Sequence, residues 1–261
     1  MGTRTKYSPG TFSWSDLTTP DQDAAKGFYS ALFGWEADDQ PIGDGAFYSL
    51  MSLDGQSVAA IAPQPQQQRD AGAPPLWNSY ITVESADASL GLAIELGAQV
   101  HADAFDVMEA GRMGVAQDPQ GAFFLVWEPR SNIGAGLVNA PGALSWNELH
   151  AEDLDAAEDF YGQLFGWSLE RFPSDEIDYR IIKTADGRSN GGMSGTVVPD
   201  APAHWLVYFG AESADSSVAK LGELGGTTLM EPMDLGPGLR IAVVQDPQGA
   251  VFALYSGRFD D

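Results

Sequence analysis

The chain has no cysteine, which excludes disulfides, thiolate nucleophiles and zinc held by sulfur. Histidine is almost as scarce: His101, His150 and His204 are the only three in 261 residues, few donors for a metal centre. Positive charge is short as well. Thirteen Lys and Arg face 37 Asp and Glu, a net charge of −24. The deficit is shared, with 17 acids against 6 bases in residues 1–135 and 20 against 7 in 136–261. Such a field repels nucleic acid and anionic membranes, so neither is expected as a partner. Long apolar runs are missing, 122–127 being typical, so no transmembrane helix is expected. No apolar signal core opens the sequence, which points to the cytoplasm. No phosphate-binding glycine loop, nucleophile elbow or His-Glu-x-x-His motif occurs.

What the chain does have is itself, twice. Gly10-Thr11-Phe12-Ser13-Trp14-Ser15-Asp16-Leu17 returns as Gly142-Ala143-Leu144-Ser145-Trp146-Asn147-Glu148-Leu149. Phe28-Tyr29 and Phe33-Gly34-Trp35 return 132 positions on as Phe160-Tyr161 and Phe165-Gly166-Trp167. Asp118-Pro119-Gln120-Gly121-Ala122 returns 128 positions on as Asp246-Pro247-Gln248-Gly249-Ala250. The chain therefore reads as two copies of one domain, 1–130 and 142–261, joined by the Gly/Pro-rich linker 131–141.

Each copy divides again. A strand over 14–17 is followed by a helix over 20–33, with Pro20 in its first turn and Gly34 beyond its end. Ala25, Phe28, Tyr29, Leu32 and Phe33 form its apolar face. Residues 47–53 and 58–62 read as a hairpin around Asp54-Gly55. After a Pro/Gln-rich stretch the order repeats: a strand over 77–83, a helix over 86–96, and a hairpin turning at 118–121. Four strand–helix–three-strand units imply an α+β fold, sheets with helices on one face and clefts on the other.

These motifs in this order resemble the vicinal oxygen chelate superfamily, the glyoxalase, bleomycin-resistance and extradiol-dioxygenase relatives, in its two-domain form. The resemblance implies four βαβββ units in tandem glyoxalase-like domains, forming two curved-sheet clefts. It also implies that one chain mimics the homodimer of single-domain relatives, so a monomer is expected. Metal-dependent members draw ligands from four inner-face positions per site. Aligned on this sequence, those positions fall at Trp14, Ala60, Asn78 and Leu125 in copy one, and at Trp146, Gly192, Leu206 and Ala253 in copy two. None is His, Asp or Glu, and only Asn78 coordinates even weakly. The expectation is therefore no metal and no other cofactor, with metal-dependent glyoxalase I activity disfavoured. A site relocated to Glu148, His150 and His204 is the lesser alternative, and His101 is expected to be merely solvated.

Strand alternation puts Trp14, Asp16 and Thr18 on one cleft face, and Trp146, Glu148 and His150 on the other. A four-residue turn at 118–121 would pair Leu125 with Gly114 and aim Arg112 inward, with Arg240 its counterpart in copy two. The expected ligand-binding set is Trp14, Asp16, Asn78, Tyr80, Arg112, Trp146, Tyr208 and Arg240. Phe28-Tyr29, Phe33-Gly34-Trp35 and the Asp-Pro-Gln-Gly turns are expected to be core and turn, not chemistry. The reading is a metal-independent protein that binds a small organic molecule in aromatic-lined clefts. The alternative is a lyase, isomerase or oxygenase with Glu148 and His150 as its acid–base pair. A third class is a structural module whose cavities are filled by side chains.

Overall fold

The computed structural model of the protein describes residues 2–172, 178–196, 202–236 and 238–259. After the short strand β1 (Gly2–Thr3), copy one runs β2 (Phe12–Thr19), α1 (Gln22–Phe33), β3 (Glu36–Gly43), β4 (Ala46–Leu53) and β5 (Gln56–Pro63). It continues with α2 (Gln66–Asp70), β6 (Leu76–Thr82), α3 (Ala86–Glu95), β7 (Gln99–Val107), β8 (Gly111–Gln117) and β9 (Phe123–Pro129). Strand β10 (Leu137–Val138) leads into copy two, which opens with β11 (Leu144–Ala151), α4 (Leu154–Phe165), β12 (Ser168–Arg171), β13 (Tyr179–Lys183) and β14 (Ser189–Gly195). It ends with β15 (His204–Gly210), α5 (Ala214–Glu223), β16 (Thr227–Gly236), β17 (Leu239–Gln245) and β18 (Val251–Ser256).

Each copy folds its two units into one curved sheet. The order is β3-β4-β5-β2-β6-β9-β8-β7 in copy one and β12-β13-β14-β11-β15-β18-β17-β16 in copy two. The antiparallel pairs β2–β6 and β11–β15 weld the half-units inside a copy. Strand β1 pairs with β10, and β10 with β11, so both extend the second sheet. The outer strand β3 carries no clean alternation, because seven of its eight residues are exposed, whereas β7 alternates between exposed and half-buried residues from Gln99 to Ala104.

Local chemistry sets the helix ends. Asp21, not the region of Pro20, caps α1: its carboxylate accepts from the Ala24 amide at 3.0 Å, so the helix begins two residues later than its proline suggests. Asp153 caps α4 in the same way. Gly34 and Gly166 end the two helices at φ 79° and 70°, a left-handed turn that costs glycine nothing.

Helices α1 and α4 lie in the seam between the copies, α1 against α5 and α4 against α3, and this explains the repeated motifs. Trp35 donates its indole N–H to the Gly142 carbonyl of copy two at 2.7 Å, and Trp167 donates to Gly10 of copy one at 2.7 Å. Tyr29 donates to Asp246 and Tyr161 to Asp118, at 3.0 and 2.9 Å. Gln120 donates to the Asp153 carbonyl and accepts the Asp153 amide; Gln248 does the same for Asp21. Each Asp-Pro-Gln-Gly turn is thus the socket for the other copy's helix start. Aromatic rings fill the seam: Phe209 of copy two lies 4.8–5.5 Å from Trp77, Trp35 and Phe33 of copy one. The 131–141 segment is part of this core as well, with Ala135, Leu137, Val138 and Ala140 all buried.

Candidate functional site

With one face of each sheet occupied by helices, the other face forms the cleft. In copy one it gathers Trp14 and Asp16 from β2, Tyr48 from β4, and Asn78 and Tyr80 from β6. Cross-strand register sets Asp16 opposite Asn78 and Trp14 opposite Tyr80. The Asp16 carboxylate accepts three hydrogen bonds: from Asn78 Nδ2 at 2.8 Å, Tyr80 OH at 2.7 Å and Tyr48 OH at 3.0 Å. The Trp14 indole N–H in turn donates to Tyr48 OH at 2.9 Å. Asp16 is only 4% exposed. Burial pushes its carboxyl above the usual aspartate value, and the three donors only partly oppose that shift.

Copy two builds the same frame with different chemistry on one side. The Trp146 indole donates to Tyr179 OH at 2.8 Å. Tyr179 and Tyr208 both donate to Glu148 Oε2, at 3.2 and 2.9 Å. The Asn78 position is Leu206, opposite Glu148, so the other oxygen turns elsewhere. Glu148 Oε1 accepts the Ser194 hydroxyl at 2.9 Å and lies 3.3 Å from His150 Nε2. Ser194 Oγ is also 3.0 Å from His150 Nδ1. His150 stacks on the exposed His204, ring centroids 5.0 Å apart, and the Pro202 carbonyl lies 3.0 Å from His204 Nδ1. Burial lowers the His150 pKa against the opposing pull of Glu148, with His204 reinforcing the drop. Trp146 and Tyr179, unlike Trp14, are half-buried, so this cleft presents an aromatic wall beside its polar triangle. Copy one carries Thr18, Ala62 and Leu76 where copy two has His150, Ser194 and His204.

The clefts therefore bring together Trp14, Asp16, Asn78, Tyr80, Trp146, Glu148, His150 and Tyr208, but not the two arginines. Arg112 pairs with Asp87 at 2.7 Å and Asp106 at 3.1 Å; Arg240 pairs with Asp215 at 2.9 Å and Asp234 at 2.8 Å. Asp87 and Asp215 lie in the first turns of α3 and α5, so both guanidinium groups face the helix side. The cause is one residue of turn. The Asp118 amide bonds the Ala122 carbonyl, and Leu125 pairs with Val115, not Gly114. A one-residue slip moves every side chain of a strand to the opposite face. His101 is exposed, packs tilted against Phe123 with ring centroids 4.7 Å apart and lies 3.1 Å from Gln117.

Two site residues escaped the sequence reading, Tyr48 and Tyr179. They are equivalent in space, yet 131 positions apart. The repeat register is one short of 132 there and returns to 132 by Ala60 and Gly192, which hides the match. Two further grooves of about 290 and 300 Å³ flank the seam, one against α4 and the 118–120 turn, the other against α1 and the 246–248 turn. They arise wherever a helix meets its socket and gather little convergent polar chemistry.

A metal does not fit these clefts as they are built. The eight inner-face positions offer indole, methyl, isobutyl, amide or nothing, and Asp16 is already engaged by three donors. Among the described residues no three His, Asp or Glu side chains are grouped to hold an ion.

The pH dependence of stability tests the copy-one network. Because the Asp16 pKa is raised from 3.8 on folding, the folded state holds its proton more tightly than the unfolded chain. That stabilisation is complete below the unfolded value and is lost as pH climbs towards the folded one. Asp16→Asn removes the titration. Denaturant melts across pH should show the variant gaining on the native protein from acid to neutral pH. A flat difference would mean that Asp16 is not desolvated.

The sequence model of the family described as "Glyoxalase-like domain" matches residues 15–127 and again 147–255. A Mycobacterium tuberculosis protein named "Putative glyoxylase CFP32" is 43% identical over 259 residues, 97% of each chain. The "Anthracycline biosynthesis protein DnrV" of Streptomyces peucetius is 33% identical over 264 residues, 96% of this chain and 94% of its own. In fold, the chain is similar to the Mn(II)-bound glyoxalase of Novosphingobium aromaticivorans. The TM-score is 0.65 at 16% identity, covering 97% of this chain and 85% of that one.

Proposed function

From the premise that this chain belongs to the Glyoxalase-like domain family, whose shared fold does not fix a shared reaction, we propose that it binds a planar organic molecule in the copy-two cleft without a metal. One observation carries the reading: a buried carboxylate, Glu148, is held by Tyr179 and Tyr208 directly beside the half-buried Trp146. A flat ligand stacks on such a wall while its polar edge meets the carboxylate side. Two circumstances support it. The net charge of −24 disfavours anionic ligands, and a relative of nearly equal length is named for anthracycline biosynthesis. The 3.3 Å contact between Glu148 and His150 favours a second reading, acid–base turnover of the bound molecule. We take the chain as a monomer, since each copy already covers the other's helices.

Titration of intrinsic Trp fluorescence with a hydroxyanthraquinone tests the proposal. Saturable quenching is expected in the native protein, weakened about tenfold by Trp146→Leu, a loss of roughly 1.4 kcal/mol, and unchanged by Trp14→Leu. Equal sensitivity of the two variants would place the ligand elsewhere. Turnover that disappears in His150→Ala while binding persists would establish the second reading.

A further inference from the structure

The inner face of copy two is polar on one side and apolar on the other. Glu148, Ser194 and His150 gather on β11 and β14, and His204 joins them from the start of β15. Beyond Trp146 the chemistry changes. Trp146 lies opposite Tyr208, Tyr208 beside Ala253, and Ala253 opposite Val243, so one row crosses β11, β15, β18 and β17. Leu206 and Ile241 flank that row, opposite Glu148 and Tyr255. The polar groups on this side are turned to partners within the chain. The Tyr208 hydroxyl donates to Glu148 at 2.9 Å, the Tyr255 hydroxyl to the Arg258 carbonyl at 2.7 Å, and the Gln245 amide to the Gly249 carbonyl at 3.0 Å.

The apolar side is a core left open. Leu206, Tyr208 and Ala253 are buried at its centre, but Trp146, Ile241, Val243 and Tyr255 around them are only half-buried. Copy one completes the same row from its own side chains. Trp14, Tyr80 and Leu125 are 5%, 6% and 5% exposed and belong to the main core, as does Trp127, the counterpart of Tyr255. Two exchanges separate the rows. Leu125 gives way to Ala253, three carbons smaller, and Asn78, a donor to Asp16, gives way to Leu206, which offers no polar atom. Copy one thus has a polar group reaching across its floor and no open ring face. Copy two has an accessible indole with hydrocarbon on one side of it. Concave apolar surface left in water gains by being covered.

We infer that the copy-two cleft selects planar polycyclic ligands whose polar groups lie along one edge, with plain hydrocarbon at the opposite edge. The inference rests on the reading of this cleft as the ligand site and adds the distribution of polarity that the site recognises. The ligand lies along the row, its polar edge at Ser194 and His150 and its hydrocarbon edge on Val243 and Ile241. Three strand spacings separate β11 from β17, roughly 14 Å along the sheet, and side chains on a concave face converge. Fused rings reach across such a gap where a single ring does not. A polar group at the hydrocarbon edge would lose its water without gaining a partner. Val243 is therefore a specificity-determining residue. One ligand is bound per chain, because the nearly buried Trp14 offers no ring face in copy one.

The test compares two isomers by calorimetric and fluorescence titration of the full chain. Both are dihydroxyanthraquinones with each hydroxyl remote from the ring carbonyls. One carries both hydroxyls on the same terminal ring; the other carries one on each. Their polar content is equal, so only its placement differs. The native protein should bind one equivalent and prefer the one-ended isomer about tenfold. Val243→Thr, which keeps the shape and adds a hydroxyl to the apolar side, should bring that ratio near one, and so should Ile241→Thr. Val115→Thr, the copy-one counterpart of the first, should leave it intact. Equal affinity for the two isomers, with both still weakened by Trp146→Leu, would overturn this inference while the binding proposal survives. Failure of both isomers to bind would overturn the proposal and the inference together. Two equivalents per chain would overturn the closure of copy one. A preference that persists in both threonine variants of β17 would remove Val243 from its role.

Discussion

Replacing Trp35 or Trp167 by alanine is expected to cost about 3–5 kcal/mol, the usual penalty for deleting a buried aromatic, and to unfold both copies in one transition. Both indoles are nearly inaccessible, at 2% and 5% exposure. Each also donates to a carbonyl of the opposite copy, so removal leaves a cavity and an unpaired buried acceptor across the seam. Tyr29 stacks on Trp35 at 5.7 Å and Tyr161 on Trp167 at 5.5 Å. Those tyrosines in turn hold Asp246 and Asp118 of the opposite copy, whose carboxylates organise the turns that receive the start of each tyrosine's own helix. The damage therefore spreads into both copies, whichever Trp is changed. Denaturant melts followed by Trp fluorescence and by far-ultraviolet circular dichroism should coincide for both variants. Two separated transitions would show that the sheets fold independently and that the seam is a weak contact.

The sequence announced this seam without revealing it. Phe28-Tyr29, Phe33-Gly34-Trp35 and Asp-Pro-Gln-Gly repeat because each contributes half of an interface with pseudo-twofold symmetry, and their spacing showed only that they lie on helices and turns. That they meet across the seam, at separations from 33 to 227 residues, is a tertiary fact no local pattern encodes. Strand alternation did place Trp14, Asp16, Trp146 and Glu148 on the cleft face, because a two-residue period survives in the central strands β2 and β11. The same logic failed for Arg112 and Arg240. Their orientation is counted through a turn, and a single extra residue in that turn inverts the answer. Tyr48 and Tyr179 were illegible for a different reason: they lie on strands displaced by one residue from the 132-residue register, so neither marked the other. The polar triangle was half visible. Glu148 and His150 share a face by alternation, but Ser194 arrives from β14 through the parallel pairing of β11 with β14, which the sequence does not state.

Gly192→Ala is expected to lower ligand affinity in the copy-two cleft by roughly tenfold to a hundredfold, about what removing one buried hydrogen bond costs. Gly192 lies on β14 opposite Glu148 and next to Ile181 on β13. A Cβ there would overlap the Tyr179 hydroxyl and ring carbon Cζ. Tyr179 would have to leave, taking its bonds to Glu148 and Trp146 with it. Space, not backbone strain, is the obstacle, since an alanine occupies the matching place in copy one. There Ala60 lies opposite Asp16, and Tyr48 still reaches both the carboxylate and Trp14. The two copies thus carry compensating pairs, Asp16 with Ala60 and Glu148 with Gly192, one methylene longer on the acid and one methyl shorter on the strand. Glu148→Asp alone should also weaken the network, because the shortened carboxylate withdraws from Tyr179 and Tyr208. The double variant Glu148→Asp, Gly192→Ala reproduces the copy-one pair and should recover much of the stability and the Trp146 fluorescence that either single change removes. Contacting positions couple in this way, and a double-mutant cycle measures the coupling directly. Additive losses would show that the two positions are independent, and that Tyr179 is not held between them.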